Sequence, residues 1–442
     1  MTPDAPKSPN SLRFSQIVTV LLLFGGYAAL YFCRADLSVA TPYIIDELGA
    51  KGIAHADAVI RIGQLSSAGV LAYALGKLFL TGLGDFWGGR LNFLIGLAGA
   101  TLFTYVFTTG SALSLFTFAW FCNRLTQSIA WAGLIKVTSK WFDYTSHGAI
   151  AGILSVSYLV GDALARHWMG GILGQGFAWR SVFYFASAVG GLLFVSNLLF
   201  LRESRTDAGY APAKAHPANL FGGTESRPES VRALLGPLLR NRAFLIVCLL
   251  SFGATIVRET FNIWTPTYLH EHAGYSESAA AGMSAVFPAV GVFSVLLSGW
   301  LSDRLGEGGR ATVMFFGFLT SGVVLLALTV LQPTTSGSTL AVAMIGAVAF
   351  CVLGPYSYLG GAYALDFGGK QAGAVSSGLI DGIGYMGGIL AGDTVARISV
   401  GFGWKGVFVA LAVVCVLAAA SSAYLYFWNS SSLARQHLEG AG

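Results

Sequence analysis

Charge is what this sequence has least of. Asp, Glu, Lys and Arg together make up 11% of its 442 residues, less than half of the roughly 25% usual in soluble domains. A chain so poor in charge is not an ordinary soluble protein. Cysteine is also sparse, and the five present (Cys33, Cys122, Cys248, Cys351, Cys415) stand singly in apolar runs. No CxxC or Cys/His ligand spacing occurs, so the thiols read as small core residues and neither a disulfide framework nor a metal site is indicated. The net charge of +5 comes without any contiguous basic run, so nothing points to nucleic acid.

What the chain has instead is apolar sequence, 55% by the AVILMFWYC count, with 57 glycines besides. Hydrophobic runs lie at roughly 15–46, 57–82, 91–110, 112–137, 148–172, 178–201, 243–269, 277–303, 310–332, 338–365, 371–398 and 404–428. Each is long enough for the roughly 20 residues that a membrane span requires. The expected architecture is all-α and membrane-embedded: a terminus at 1–14, a six-helix bundle over 15–201, a linker over 202–242, a second bundle over 243–428 and a tail at 429–442. A short surface helix is expected in the linker around Glu229 to Leu239. The first run is too long for a signal peptide and carries Arg34 where a cleavage site would fall, so it reads as the first span. Lys and Arg gather in alternate connections: Lys7, Arg13, Arg90, Lys136, Lys140, the linker, Arg304, Arg310, Lys370 and Arg435 lie on one side. Lys51, Arg61, Arg180, Arg397 and Lys405 are all that lie on the other. The bias predicts both termini and the linker in the cytoplasm of a cell inner membrane.

The two halves repeat each other. Arg34 followed by Thr41-Pro42 recurs as Arg258 followed by Thr265-Pro266, and Gly176-Phe-Ala-Trp179 recurs as Gly401-Phe-Gly-Trp404. Gly82 and Asp85 with Gly88-Gly89-Arg90 recur as Gly299 and Asp303-Arg304 with Gly308-Gly309-Arg310. Six spans, an even number, separate the copies, so the halves are parallel repeats about an axis along the membrane normal. The loop pattern after the second span of each half resembles the cytoplasmic signature of the major facilitator superfamily. In it the Asp can cap a helix end or pair with the Arg, as a latch between rocking bundles.

Arginine near the middle of a span costs about 2.5–3.5 kcal/mol on insertion scales. Two at equivalent positions, Arg34 and Arg258, therefore need a reason. Neighbouring acids, Asp36 and Glu259, are one; against them, residues one or two apart on a helix do not face each other. The other is that both guanidiniums converge on one midplane cavity, where two planar forks suit a dianion.

Around these arginines a narrower resemblance is legible. Tyr31-Phe-Cys-Arg34 with Pro42, Gly76-Lys77, Arg258 with Trp264-Thr-Pro-Thr-Tyr268-Leu269, Gly354-Pro355 and Gly384-Tyr385-Met-Gly-Gly388 are similar to the organophosphate:phosphate antiporters. The resemblance runs over nearly all of the membrane-spanning chain. It implies a twelve-helix carrier that exchanges a phosphorylated metabolite for inorganic phosphate by alternating access. Arg34 and Arg258 are then the phosphate clamp and Lys77 an added cation. Ala35, Gly161 and Ala132-Gly133 stand where the glycerol-3-phosphate carrier of this family has other residues, so the organic half of the site does not carry over. Asp162, Arg124 and Asp381 are the departures that bear charge. Asp162 either reads a substituent of the substrate or pairs with Arg124 or with Arg166; Asp381, without an evident neighbour, is expected to face the cavity. Tyr268 and Tyr385 are the aromatics expected to line it.

No nucleophile and base pair or metal set stands out, so no enzyme and no cofactor is expected. The expected partners are a small phosphorylated anion, inorganic phosphate and membrane lipid, with the carrier a monomer. Two rivals remain: a proton-coupled carrier using Asp36, Asp162, Glu259 or Asp381, and a carrier-like sensor of sugar phosphate. Gly382-Ile-Gly384-Tyr-Met-Gly387 fits a dinucleotide pattern, but without a preceding strand it reads as close helix packing. His270 and His272 read as solvated loop residues.

Overall fold

The computed structural model describes residues 9–80, 88–143, 147–213, 231–306, 308–334 and 336–439. In a bilayer each backbone N–H and C=O must be satisfied within its own segment, and these apolar runs accordingly form helices. In chain order they are α1 (Pro9–Ala50), α2 (His55–Phe79), α3 (Gly89–Thr108), α4 (Leu113–Gln127), α5 (Ala130–Trp141), α6 (His147–Gly174) and α7 (Arg180–Phe200). After the linker come α8 (Val231–Arg240), α9 (Arg242–Glu271), α10 (Glu277–Met283), α11 (Val286–Leu305), α12 (Gly309–Leu328), α13 (Thr339–Tyr358), α14 (Ala364–Gly388) and α15 (Asp393–Glu439). A π-turn at Leu359–Tyr363 and a 3₁₀ turn at Ile389–Ala391 join the last three.

Among the described residues nine helical stretches are long and apolar enough to cross a membrane, against the twelve expected. The difference has local causes. The run at 112–137 is divided by a turn between α4 and α5. The run at 148–172 does form one helix, the 28-residue α6, which carries Asp162, Arg166 and His167. The runs at 371–398 and 404–428 lie in one continuous stretch, Val375–Phe427, bent where Gly403 takes φ 68°. Of the helix expected in the linker, Val231–Arg240 is described; Glu229 and the rest of 214–230 lie outside the described residues.

The repeat seen in the sequence reappears as shared local structure in α1 and α9. Thr41 and Thr265 each turn a hydroxyl back to the carbonyl four residues earlier, Leu37 at 2.8 Å and Phe261 at 2.5 Å. The prolines that follow, Pro42 and Pro266, lie inside their helices and donate nothing. The carbonyl that Pro266 leaves without a helical donor, that of Asn262, accepts Arg166 Nη2 at 2.8 Å. α1 is also broken at Cys33 (φ −77°, ψ 15°). There the Cys33 carbonyl accepts Gln127 Nε2 at 3.1 Å, and the Leu37 N–H donates to Asp36 Oδ1 at 2.7 Å. This break aims the next residue, Arg34.

α1 packs on α6 and α7, and α9 on α14 and α15. The two sets of helices meet along α1 with α9, α2 with α14 and α15, and α6 with α10 and α11. The contacts across this seam gather towards the end that carries the 50–55 and 272–276 turns. His55 meets Glu271 at 3.3 Å, and Ser67 Oγ donates to the Ile389 carbonyl at 2.6 Å while accepting the Asp393 N–H at 2.9 Å. Gly63 and Gly392 lie backbone to backbone: a Cβ on Gly63 would stand 2.9 Å from the Gly392 carbonyl oxygen. The glycines of α14 that fit the dinucleotide pattern are used for packing, since a Cβ on Gly387 would come 2.4 Å from the Phe252 carbonyl oxygen of α9. His270 and His272 are tied rather than solvated: His270 Nδ1 meets the Tyr275 carbonyl at 3.0 Å and His272 Nε2 the Leu331 carbonyl at 3.2 Å.

Candidate functional site

Arg34 on α1 and Arg258 on α9 meet in the seam, and what joins them is Glu259. Arg34 Nη2 donates to Glu259 Oε1 at 3.0 Å, and Arg258 Nη2 stands 3.5 Å from the same oxygen. Sequence spacing argued against Glu259 as a partner, because adjacent residues on one helix diverge. The structure corrects that reading: the carboxylate reaches chiefly across to the other half, where helix spacing imposes no bar. Arg258 is 4% exposed. Its Nη1 donates to the Tyr356 hydroxyl at 2.8 Å and to the Tyr385 hydroxyl at 3.3 Å. The Tyr385 ring is shared: the guanidinium carbons of Arg34 and Arg258 each lie 5.9 Å from its centroid.

Lys77 Nζ lies 5.7 Å from the centroid of Tyr73, a ring that also faces Arg34 at 5.2 Å, and it stands 3.9 Å from Asp381 Oδ2. Asp381 therefore has a neighbour the sequence did not reveal, a lysine from the opposite half. Asp162 pairs with Arg166 at 2.9 Å, not with Arg124. Arg166 is spent within the structure, on Asp162, on the Asn262 carbonyl, and on Ser284 Oγ at 3.1 Å and Ser38 Oγ at 3.4 Å. Asp36 is fully buried and serves the break in α1 through its Oδ1, while its Oδ2 has no partner. Tyr268 does not join the arginines. It packs near the end of α9 against His272, Trp404 and Phe408, lining a separate apolar pocket. Tyr73 and Tyr356, which the sequence analysis did not single out, also stand on the arginines. Only the position of Tyr356 directly after Gly354-Pro355 hinted at this.

The loop motifs are partly visible. Gly82 and Asp85 lie outside the described residues. Arg90 opens α3, where its Nη2 donates to the Leu198 carbonyl at 2.7 Å. The anion at this helix end is Glu203 from the linker, which the sequence reading did not single out. It accepts the Gly89 N–H at 2.9 Å, the Arg90 N–H at 2.6 Å and Lys140 Nζ at 2.6 Å. Burial raises the Glu203 carboxyl, but these donors at a helix N-terminus outweigh it and hold the group below its ordinary value. In the second half Gly299 and Asp303 fall within α11, and Arg304 lies over the Trp300 ring at 4.5 Å. Arg310 begins α12 after Gly306 (φ 66°) and Gly308 (φ 78°) turn the chain.

Two guanidiniums from equivalent positions of two repeats thus meet on one carboxylate in the seam. The model of the Major Facilitator Superfamily matches residues 23–392. The chain belongs to this superfamily. It is similar to the glycerol-3-phosphate transporter of Bacillus subtilis (strain 168), 24% identical over 98% of this chain and 96% of that one. It is likewise similar to a probable hexose phosphate transport protein of Chlamydia pneumoniae (27%, covering 92% and 90%). A third relative is the phosphoglycerate transporter protein of Salmonella typhimurium (24%, covering 91% and 87%). The fold is that of a bacterial homologue of the human lysosomal transporter Spinster, solved inward-facing and unoccupied. The TM-score is 0.71 with 16% identity over 97% of this chain and 99% of that one. As a superfamily member this is a multi-pass membrane transporter and not an enzyme.

Proposed function

We propose that this transporter carries a phosphorylated small metabolite across the membrane in exchange for inorganic phosphate, with Arg34 and Arg258 as the clamp. The observation that carries the reading is the Glu259 carboxylate held between the two arginines at 3.0 and 3.5 Å. An oxyanion already sits where the halves meet, and phosphate offers the same acceptor oxygens with twice the charge. The names of the relatives, carriers of glycerol 3-phosphate, hexose phosphate and phosphoglycerate, support the same substrate class. Lys77 and Tyr385 complete the cationic side, and Asp381 borders it.

Alternating access follows from where the arginines sit. One belongs to each half, so a bound dianion draws α1 and α9 together and must be released for them to part. The contacts at the 50–55 end close that mouth. The lysines and arginines of the opposite end, Arg90, Lys140, Arg202, Arg205 and Arg304 among them, support reading that end as cytoplasmic. The bundles are read as 15–201 and 243–428, joined by the cytoplasmic linker. The test is uptake of labelled phosphorylated metabolites into proteoliposomes preloaded with phosphate. Accumulation that depends on internal phosphate is the expected result. Uptake of a non-phosphorylated anion driven by a pH gradient, with phosphate inert, overturns the reading in favour of proton coupling.

A further inference from the structure

Arg124 is the charge in the seam that the clamp leaves unexplained. It stands on α4, is 2% exposed, and lines a cavity together with Arg34, Arg166, Asp162 and Glu259. Arg34 has Glu259 and Arg166 has Asp162. Among the described residues no carboxylate pairs with Arg124, and its Nη1 is buried without a hydrogen-bond partner. Its guanidinium rests on two rings, Tyr73 at 4.8 Å and Trp120 at 6.0 Å from the centroids. Ring faces offset only about 0.5–2 kcal/mol of what burying an unpaired charge costs. An arginine kept in this state serves an anion that is present for part of the cycle.

That anion is already in the cavity wall. Arg34 and Arg124 face the same Tyr73 ring, at 5.2 and 4.8 Å, so the carboxylate bonded to Arg34 looks into the space that Arg124 borders. Glu259 Oε1 occupies the position that both guanidiniums address, at 3.0 and 3.5 Å, so a dianion can bond to both arginines there only if Glu259 leaves. Glu259 is an unbranched side chain that moves by changing rotamer. Asp36 does not line the cavity.

Resting on the phosphate-clamp reading above, we propose that Arg124 is the receiving partner of Glu259: a dianion entering between Arg34 and Arg258 displaces the carboxylate, which swings to Arg124. Charge then closes in pairs except at Asp36, whose buried Oδ2 stays without a partner. The dianion faces Arg34 and Arg258, Glu259 faces Arg124, Asp162 faces Arg166, and Asp381 faces Lys77. These groups leave no cation for a carboxylate on the organic half of the substrate. The site therefore favours phosphate esters whose remaining groups are uncharged over phosphorylated acids.

The experiment is binding of labelled inorganic phosphate to the full-length protein in detergent, with competition by glycerol phosphate and by phosphoglycerate. Arg124→Gln strands Glu259 in the clamp and should weaken phosphate binding by about tenfold or more. Glu259→Gln removes the competitor and should bind phosphate at least as tightly as wild type. The double variant should return close to Glu259→Gln, a coupling that a merely structural Arg124 would not produce. A loss that persists in the double variant, or phosphoglycerate outcompeting glycerol phosphate, makes Arg124 a direct ligand of substrate and overturns the proposal. So does weakened binding in Glu259→Gln, which is informative even if the Arg124 variants fail to fold. If wild type binds no phosphate at all, the clamp reading itself falls, and this proposal with it.

Discussion

At the residue scale the proposed clamp depends on fork geometry as much as on charge. Arg258 spends Nη1 on two tyrosine hydroxyls and keeps Nη2 for the anion, a division that a single ammonium cannot reproduce. Arg34→Lys or Arg258→Lys should therefore weaken phosphate binding by about 1.5–3 kcal/mol, the worth of one charge-assisted hydrogen bond. Direct binding measurements check this, and near-normal affinity in both variants would show that the arginines are structural. The sequence made these two residues legible because buried arginine is costly and because it recurs at equivalent positions. It hid Glu259, since a pairing rule for one helix says nothing of a partner on another. It hid Tyr73 and Tyr356 for the opposite reason: aromatics are common in spans, and nothing in their spacing separates a ring on a guanidinium from a ring in the core.

At the element scale the breaks in the helices carry the account. The turn lost at Cys33 and the donor lost at Pro266 leave carbonyls that Gln127 and Arg166 take up, so side chains that look like site residues are spent on holding bent helices. Asp162, Arg166 and Asp36 belong to this group. Their charges were legible, as was the pairing of Asp162 with Arg166 four residues on; what they hold was not, because a freed backbone group is a property of the bent helix rather than of the residue. The N-terminus of α3 gives an independent test. Glu203 has a lowered folded pKa, so its contribution to stability is present above its ordinary value of 4.5 and is lost as the pH falls through the lowered folded value. Glu203→Gln should melt below wild type at neutral pH, and the gap in melting temperature should close on acidification through that window. A gap that stays constant with pH would assign the effect to shape rather than charge.

At the scale of the whole molecule the repeat underlies both the topology and the mechanism proposed above. Two parallel repeats require an even number of crossings between Arg34 and Arg258, so reporter fusions at Ala215 and at the C-terminus should report cytoplasm and one at Gly274 the outside. A cytoplasmic Gly274 fusion would break the pseudo-symmetry. Among the described residues length and hydropathy mark nine crossing stretches, and the repeat rather than the helix count is what argues for twelve. Glu259 also alters what the empty carrier is expected to do. Sequence reasoning left two bare guanidiniums facing each other, whereas one carboxylate now covers the pair and leaves a net positive charge in a medium of lowered dielectric, where repulsion is strong. Full relief still needs a dianion, so loaded carrier should cross faster than empty carrier. The measurement that bears most directly on this is release of labelled phosphate trapped in proteoliposomes, with and without external phosphate or organophosphate. The account predicts release strongly accelerated by external anion and slow without it; release equally fast in its absence would contradict exchange.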